Sequence, residues 1–216
     1  MAMQPMTFIL TFSIFSILIL IGLVVYLCPP TTHARSRSFL AQQEEWLYLR
    51  RFPLPKEVML LNFELFRQGA LAEGQHALII EPEEPSSTTL FDYVTVDDTL
   101  AKQTVILIRN KSLDSFILQA IPKPLVERQD AGAGAEHKHM EDVDTRMDAY
   151  RISTNQGFRA KQCIDDIENF LNDHPGICIE YIGNTLLLYK PNVCLSQEQV
   201  DTALSMARRL FTVLSR

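Results

Sequence analysis

One carboxylate in this sequence has a context that could support chemistry, and that residue is Asp92. It stands between Phe91 and Tyr93 in an apolar stretch. A carboxylate buried there needs a partner or a shifted pKa, and perturbed carboxylates serve as catalytic acids or bases. The position of Asp92 also fits an aspartate on the solvent-exposed face of a half-buried strand, which is the preferred interpretation. Asp92 is therefore the catalytic candidate of this chain, weighed against that plainer alternative.

A second candidate is a histidine pair, His137 and His139, in an acidic stretch from 136 to 142. Imidazole and carboxylate groups are ligands for transition metals. A metal site also needs a rigid frame, and this pair lies in a segment without apolar anchors. We therefore predict no metal and no other cofactor. The hypothesis that the segment from Glu127 to Asp144 orders on a metal, as a sensor would, stays open.

The remaining reactive side chains fit ordinary structural roles. Asp165, Asp166 and Glu168 could form an acid and base cluster, but Asp165 and Glu168 fall opposite the apolar residues of a helix, which predicts a solvated face. The four cysteines form no CxxC pair and lack zinc-finger spacing, which predicts reduced, buried thiols. The sequence also contains no GxSxG, HExxH or Walker motif, so no hydrolase signature is present.

The element that positions the rest is an apolar run from Phe8 to Leu27 with no charged side chain before Arg35. About 20 residues at roughly 1.5 Å rise give a helix of ~30 Å, which matches a bilayer core. Met1 to Thr7 carries no basic residue, whereas Arg35 and Arg37 follow the run. The positive-inside rule therefore predicts an external N-terminus and a cytoplasmic domain. A cleaved secretory signal is the alternative, but it lacks a basic n-region and a good cleavage site.

The predicted fold class is α+β, with an N-terminal transmembrane helix, an antiparallel β-meander and a C-terminal β-α-β-β-α unit. The predicted divisions are 1–30 for the tail and transmembrane helix, 31–56 for a juxtamembrane connector and helix, 57–126 for a β-rich half, 127–144 for a mobile loop, and 145–216 for the C-terminal half.

Beyond the span, Thr31 to Ser38 is predicted to be a polar connector. Spacing of three and four residues then predicts a helix from Phe39 to Phe52. Trp46 and Tyr48 on that helix either pack on the domain, which is preferred, or sit at lipid headgroups.

The middle of the chain has an apolar period of two. Four strands are predicted at His76 to Glu81, Thr88 to Val96, Lys102 to Arg109 and Phe116 to Ile121. Because the links between them are short, each strand is expected to pair with the next in a meander.

The C-terminal part has the clearest pattern. It predicts a strand at Met147 to Thr154, a helix at Phe158 to Asn172, strands at Ile177 to Ile182 and Thr185 to Lys190, and a last helix opened by Ser196 and Gln199. The turn Gly183-Asn184 between the last two strands is typical of a tight hairpin.

Several short phrases resemble a family of uncharacterised bacterial proteins, many of them membrane-anchored, that carry a domain of unknown function. They are Phe63-Glu64-Leu65-Phe66 with Gly69, Phe91-Asp92-Tyr93, Gln103-Thr104-Val105, Phe116-Ile117-Leu118 and Leu187-Leu188-Tyr189-Lys190-Pro191. The resemblance covers about Phe63 to Arg216. It departs around Glu127 to Asp148, where a His-Pro and aromatic segment is missing. The resemblance implies a bacterial inner-membrane setting and no assigned activity.

These observations favour a single-pass inner-membrane protein whose cytoplasmic domain binds another protein or acts in assembly. The span from Phe8 to Leu27 is the predicted membrane contact. A net charge of −6 gives no support to a nucleic-acid partner. The alternative is a membrane-tethered hydrolase with Asp92 in its site, although the absence of a chemical motif makes an enzyme the less favoured class.

Overall fold

The computed structural model describes residues 32–67, 72–80, 86–95, 101–110, 115–130 and 140–215. The predicted transmembrane helix, Phe8 to Leu27, lies outside these residues. Within the described ranges, no helix combines the length and the apolar character that crossing a bilayer requires.

In this part of the chain the helices and strands alternate in an α+β order. The helices are α1 (Thr32–Gln43), α2 (Lys56–Met59), α3 (Glu64–Arg67), α4 (Lys123–Asp130), α5 (Gly157–Asp173) and α6 (Gln197–Leu214). The strands are β1 (Leu47–Phe52), β2 (Ala72–Ile80), β3 (Ser86–Thr95), β4 (Ala101–Asn110), β5 (Ile117–Pro122), β6 (Glu141–Asp142), β7 (Tyr150–Thr154), β8 (Cys178–Ile182) and β9 (Thr185–Tyr189).

The described strands form one antiparallel sheet in the order β1-β2-β3-β4-β9-β8-β5-β7-β6. β1 to β4 follow one another as a meander, as expected from their short links. The predicted continuation of that meander into β5 is wrong, because β5 pairs with β7 and β8 instead. The β8–β9 hairpin lies between β4 and β5. Its turn is tied to both neighbours, since Asn110 N donates to Asn184 O and Gly183 N donates to Phe116 O.

The sheet carries an apolar layer on each face. One face packs under α1, α5 and α6, and the other packs under α2, α3 and α4. Sheet residues of the first layer include Leu78, Leu90, Ile106, Leu118, Ile152, Ile179 and Leu188. Sheet residues of the second layer include Phe52, Phe91, Tyr93, Val105, Leu107, Ile182 and Leu187. Burial on both faces explains why the strands show continuous apolar runs in place of strict alternation.

The juxtamembrane prediction is wrong in its secondary structure. Helix α1 occupies most of the predicted connector, and the second half of the predicted helix is strand β1. The helix ends because Glu45 adopts a left-handed backbone with φ of 57°, after which Leu47 pairs with Ile79 of β2. Trp46 and Tyr48 pack against the α1-side core, which confirms the packing interpretation.

The C-terminal half follows its predicted order, although β7 begins at Tyr150, three residues later than the predicted strand. Gln199 Oε1 accepts a hydrogen bond from Ser196 N at 2.9 Å, as expected at the start of α6. Phe158, at the first turn of α5, is 80% exposed although it is a large apolar residue. Cys163 and Cys178 are free and buried as predicted, whereas the free Cys194 is only half-buried, and Cys28 lies outside the described residues.

The structure describes only part of the predicted mobile loop, 127–144. Residues 131–139 lie outside the described residues. At its two ends, α4 extends to Asp130 and the short strand β6 occupies Glu141–Asp142.

The hairpin turn supplies a test of the inserted pair of strands. Gly183 and Asn184 have φ of 56° and 61°, and Asn184 Oδ1 accepts a hydrogen bond from the Tyr181 hydroxyl. Asn184→Gly loses that bond but adopts the left-handed backbone without a steric cost. Asn184→Ala loses the bond and must adopt the same backbone against the steric preference of alanine. We expect Asn184→Ala to be less stable than Asn184→Gly by about 1 kcal/mol in denaturant unfolding. Equal stability of the two variants would contradict the requirement for a left-handed backbone at position 184.

Candidate functional site

Asp92 lies on β3, the third strand from one end of the sheet, on the face covered by α1. Leu90 shares this face, while Phe91 and Tyr93 point into the opposite core. The side chain of Asp92 has 0% exposure. The preferred interpretation of Asp92 as a solvated residue is therefore wrong, because α1 covers the face from which it projects.

The partners of Asp92 come from α1 and β4. Asp92 Oδ1 accepts a hydrogen bond from Thr104 Oγ1 at 2.8 Å and a long one from Arg37 Nη2 at 3.4 Å. Lys102 Nζ lies 3.5 Å from Asp92 Oδ2. Arg37 Nη2 also donates to Thr104 Oγ1 at 3.2 Å. The result is a buried ion pair with a shared hydroxyl between its members.

Arg37 is as deeply buried as its partner, with 2% exposure. Burial lowers the pKa of Arg37 from its ordinary value, and the Asp92 charge opposes that change. Among the described residues, Arg37 Nη1 and Asp92 Oδ2 are the buried side-chain polar atoms without a hydrogen bond. A buried pair that is incompletely hydrogen-bonded stabilises a fold weakly, yet losing one member is costly. Its contribution is therefore mainly to the placement of α1.

Further polar side chains border this pair. Tyr48 Oη lies 2.9 Å from His76 Nδ1, and their rings stack with centroids 6.3 Å apart. Burial lowers the pKa of His76, although Asp92 acts in the opposite direction.

Thr104 Oγ1 accepts a hydrogen bond from Leu195 N at 2.9 Å, so the segment before α6 is held by the same hydroxyl. Burial raises the pKa of the Cys194 thiol, which disfavours a reactive thiolate.

This geometry suits positioning better than acid and base catalysis. A catalytic carboxyl must come within hydrogen-bond reach of a substrate, and Asp92 has no exposed surface. Its oxygens face Arg37, Lys102 and Thr104, which belong to the fold. The arrangement connects α1, the sheet and the segment before α6.

The opposite face of the sheet holds a second buried carboxylate, Glu180 on β8. Its oxygens accept hydrogen bonds from Glu64 N at 2.6 Å, Leu65 N at 3.1 Å and Tyr189 Oη at 3.1 Å. Gln119 Nε2 donates to it at 3.3 Å. Burial raises the pKa of Glu180 to about 7, although these hydrogen bonds favour the ionised form. Glu180 thus binds the first backbone amides of α3 to the sheet.

A third carboxylate departs from its prediction. Glu168 was expected on a solvated helix face, but it is 5% exposed. It accepts hydrogen bonds from Thr145 Oγ1 at 2.8 Å and from Arg146 N at 2.9 Å. Asp165 remains exposed and pairs with Arg146 at 2.5 Å. The solvated interpretation is therefore wrong for Glu168, because the segment before β7 folds over it.

The metal candidates His137 and His139 lie outside the described residues. Elsewhere in the described chain, no group of three or more His, Cys, Asp or Glu side chains is arranged to hold a metal ion.

Two shallow clefts lie along α5 and α6. The first, of about 140 Å³, includes Phe170, His174 and Met206, and the second, of about 120 Å³, includes Arg159 and Gln162. Both are smaller than the roughly 300–1,000 Å³ of sites for small molecules. Neither includes Asp92 or Glu180.

Comparison with known proteins adds a likeness of fold. No family model and no curated protein matches the chain. A solved structure that matches it is the crystal structure of the mycobacterial trehalose monomycolate transport factor A, TtfA. The TM-score is 0.63 at 12% sequence identity, over 85% of this chain and 95% of that chain. The fold of this protein is similar to that of TtfA. At this identity the likeness concerns the fold alone, and the resemblance to the bacterial membrane-anchored family stays a prediction.

Sequence reasoning overlooked Arg37 and Glu180 as site residues. Glu180 carries the same signal that singled out Asp92, since it stands inside the apolar strand Cys178–Ile182. Arg37 carries no such signal, because its neighbours in the sequence are polar. Only the packing of α1 on the sheet shows that it is a buried partner.

The ion pair can be tested by a double-mutant cycle. Arg37→Met leaves Asp92 buried without its arginine, so we expect the free energy of unfolding to fall by about 3 kcal/mol. Asp92→Leu should cost a similar amount. The double variant should cost clearly less than the sum, because neither charge is left unpaired. Denaturant unfolding measures all three, with Lys102→Ala as a control expected to cost under about 1 kcal/mol. Additive costs would contradict the pairing.

The second carboxylate predicts a pH dependence. With a pKa near 7 in the fold against an ordinary value of 4.5, Glu180 binds more protons in the native state between these limits. Stability should therefore fall as pH rises from about 5 to 8, by about 3 kcal/mol from this group. The variant Glu180→Gln should lack this pH-dependent component. The free energy of unfolding is therefore measured against pH for both proteins, and the difference between the two curves isolates the contribution of Glu180. If the free energies of unfolding of the parent and of Glu180→Gln changed in parallel with pH, the raised pKa of Glu180 would be contradicted.

Proposed function

We propose that this protein is a single-pass inner-membrane protein whose cytoplasmic α+β domain binds another protein or acts in assembly. The observation that carries the proposal is the edge strand β1. In the described structure it pairs with β2 on one side only. An edge strand of six residues offers unpaired backbone groups that an extended peptide can satisfy.

The side chains of β1 indicate what kind of strand it would accept. Leu47 is 51% exposed, and Arg50 and Arg51 are exposed beside it. Charged residues on an edge discourage pairing between copies of the same chain. Arg50 favours an acidic partner strand through complementary charge. The proposed partner segment is therefore extended, acidic and able to cover one leucine.

The buried carboxylates support a binding function over a catalytic one. Asp92, the residue on which the hydrolase hypothesis depends, is enclosed by α1 and held by Arg37 and Thr104. Glu180 is enclosed beneath α3 in the same way. Both groups therefore have a structural explanation that needs no substrate.

The likeness to TtfA suggests a setting for this binding. That protein is described as a transport factor for trehalose monomycolate. By extension, we propose that the present protein serves as an accessory component of a transport assembly in the membrane to which it is tethered. The support consists of a shared fold and of the predicted anchor, Phe8 to Leu27.

Photocrosslinking in cells tests the binding edge. A photoreactive phenylalanine at position 47 should give a discrete protein adduct, whereas the same group at the exposed position 158, on α5, should not. Arg50→Pro should abolish the adduct, because proline blocks strand addition at an edge. Arg50→Ala removes the charge and leaves the backbone free, so it should retain most of the adduct.

The outcome depends on the fold being intact. Both Arg50 variants should melt at the temperature of the parent chain. Absence of an adduct at position 47, or an adduct that persists in a folded Arg50→Pro variant, would overturn the assignment of β1 as the binding edge.

A further inference from the structure

We propose that the outward face of α1 lies against anionic lipid headgroups of the membrane that anchors the chain. The inference rests on the proposed membrane tether and adds a second, peripheral contact. Arg37, Leu40 and Ala41 form the buried side of the helix, with exposures of 2%, 6% and 4%. Because Arg37 is paired with Asp92 beneath it, α1 moves with the sheet as one body.

The length of the connection then limits the distance to the membrane. The predicted span ends at Leu27, and α1 begins at Thr32. Four intervening residues reach at most about 18 Å even when fully extended. A domain of this size has a radius of gyration of about 16 Å, so the tether is shorter than the domain is wide. Some surface next to the start of α1 must therefore face the bilayer.

The outward side of α1 has the composition of such a surface. Arg35, Phe39 and Gln42 follow one another at helical spacing and are all exposed, Phe39 at 55%. The helix contains no acidic residue, although the chain as a whole has a net charge of −6. A guanidinium pairs with lipid phosphate, and a phenyl ring inserts at the boundary between headgroups and acyl chains.

The acidic residues nearby define where this surface ends. Glu44 and Glu45 directly follow α1 and are exposed. They would be repelled by an anionic surface, so the contact is confined to the first turns of the helix. An acidic protein partner is a less suitable occupant, because the membrane is held within reach of this face by the covalent connection.

Fluorescence quenching in nanodiscs tests the contact on the full-length chain. The sequence has a single tryptophan, so Trp46→Phe provides a silent background. Tryptophan is then introduced as Phe39→Trp or, as a matched control, as Phe158→Trp. Both positions are exposed aromatics on the same face of the sheet, but α6 separates α5 from α1. In phosphatidylglycerol nanodiscs containing brominated lipid, we expect about twofold quenching at position 39 and almost none at position 158.

Two comparisons test the role of charge. Arg35→Glu should reduce the quenching at position 39, and replacing phosphatidylglycerol by phosphatidylcholine should do the same. In the unsubstituted chain, amides of α1 should exchange with deuterium more slowly in anionic than in neutral nanodiscs. This last measurement needs no tryptophan variant to fold.

The outcomes separate the two proposals. If the chain does not enter nanodiscs at all, the tether of the proposed function fails. If it enters, but position 39 is unquenched or is quenched no more than position 158, the headgroup contact is overturned. Quenching that is equal in neutral lipid and in the Arg35→Glu variant overturns the anionic character of the contact.

Discussion

The burial of ionisable side chains on both faces of one sheet is the constraint on which this structure depends. Arg37 and Asp92 lose their hydration together, and each is tolerable inside the domain only while the other is present. Because one comes from α1 and the other from β3, the pair forms only when the helix is seated on the sheet. The ion pair therefore acts more as a condition on the arrangement of α1 than as a source of stability.

Glu180 imposes a comparable condition on the opposite face. Its carboxylate receives two backbone amides of α3 and the hydroxyl of Tyr189. A buried carboxylate with several donors is satisfied in one arrangement and costly in any other. The short α3, which is too brief to be stable alone, is placed by this contact and by the aromatic residues packed around it.

The shape that follows from these contacts is consistent with a binding role. Asp92 and Glu180, the carboxylates that stand inside apolar strands, are held by contacts within the fold, and the exposed features considered for binding lie elsewhere in the described structure. Those features are an arginine-bearing edge strand at one end of the sheet and an outward helix face close to the predicted anchor. The two proposals assign one partner to each: an extended peptide to β1 and the membrane surface to α1.

The extent to which sequence alone anticipated this structure varies with how local the determining interactions are. The turn at Gly183 and Asn184, the amphipathic α5 and α6, and the strand segments depend on neighbours in the chain, so the sequence by itself determined them. Residues 47–52 show the opposite case: their apolar spacing suits a helix, but pairing with β2 makes them a strand. Likewise, only the tertiary structure placed β9 beside β4, Arg37 against Asp92 and Glu180 under α3. Each of these contacts joins residues far apart in sequence, and their partners are selected by the packing of the whole sheet, which no local pattern encodes.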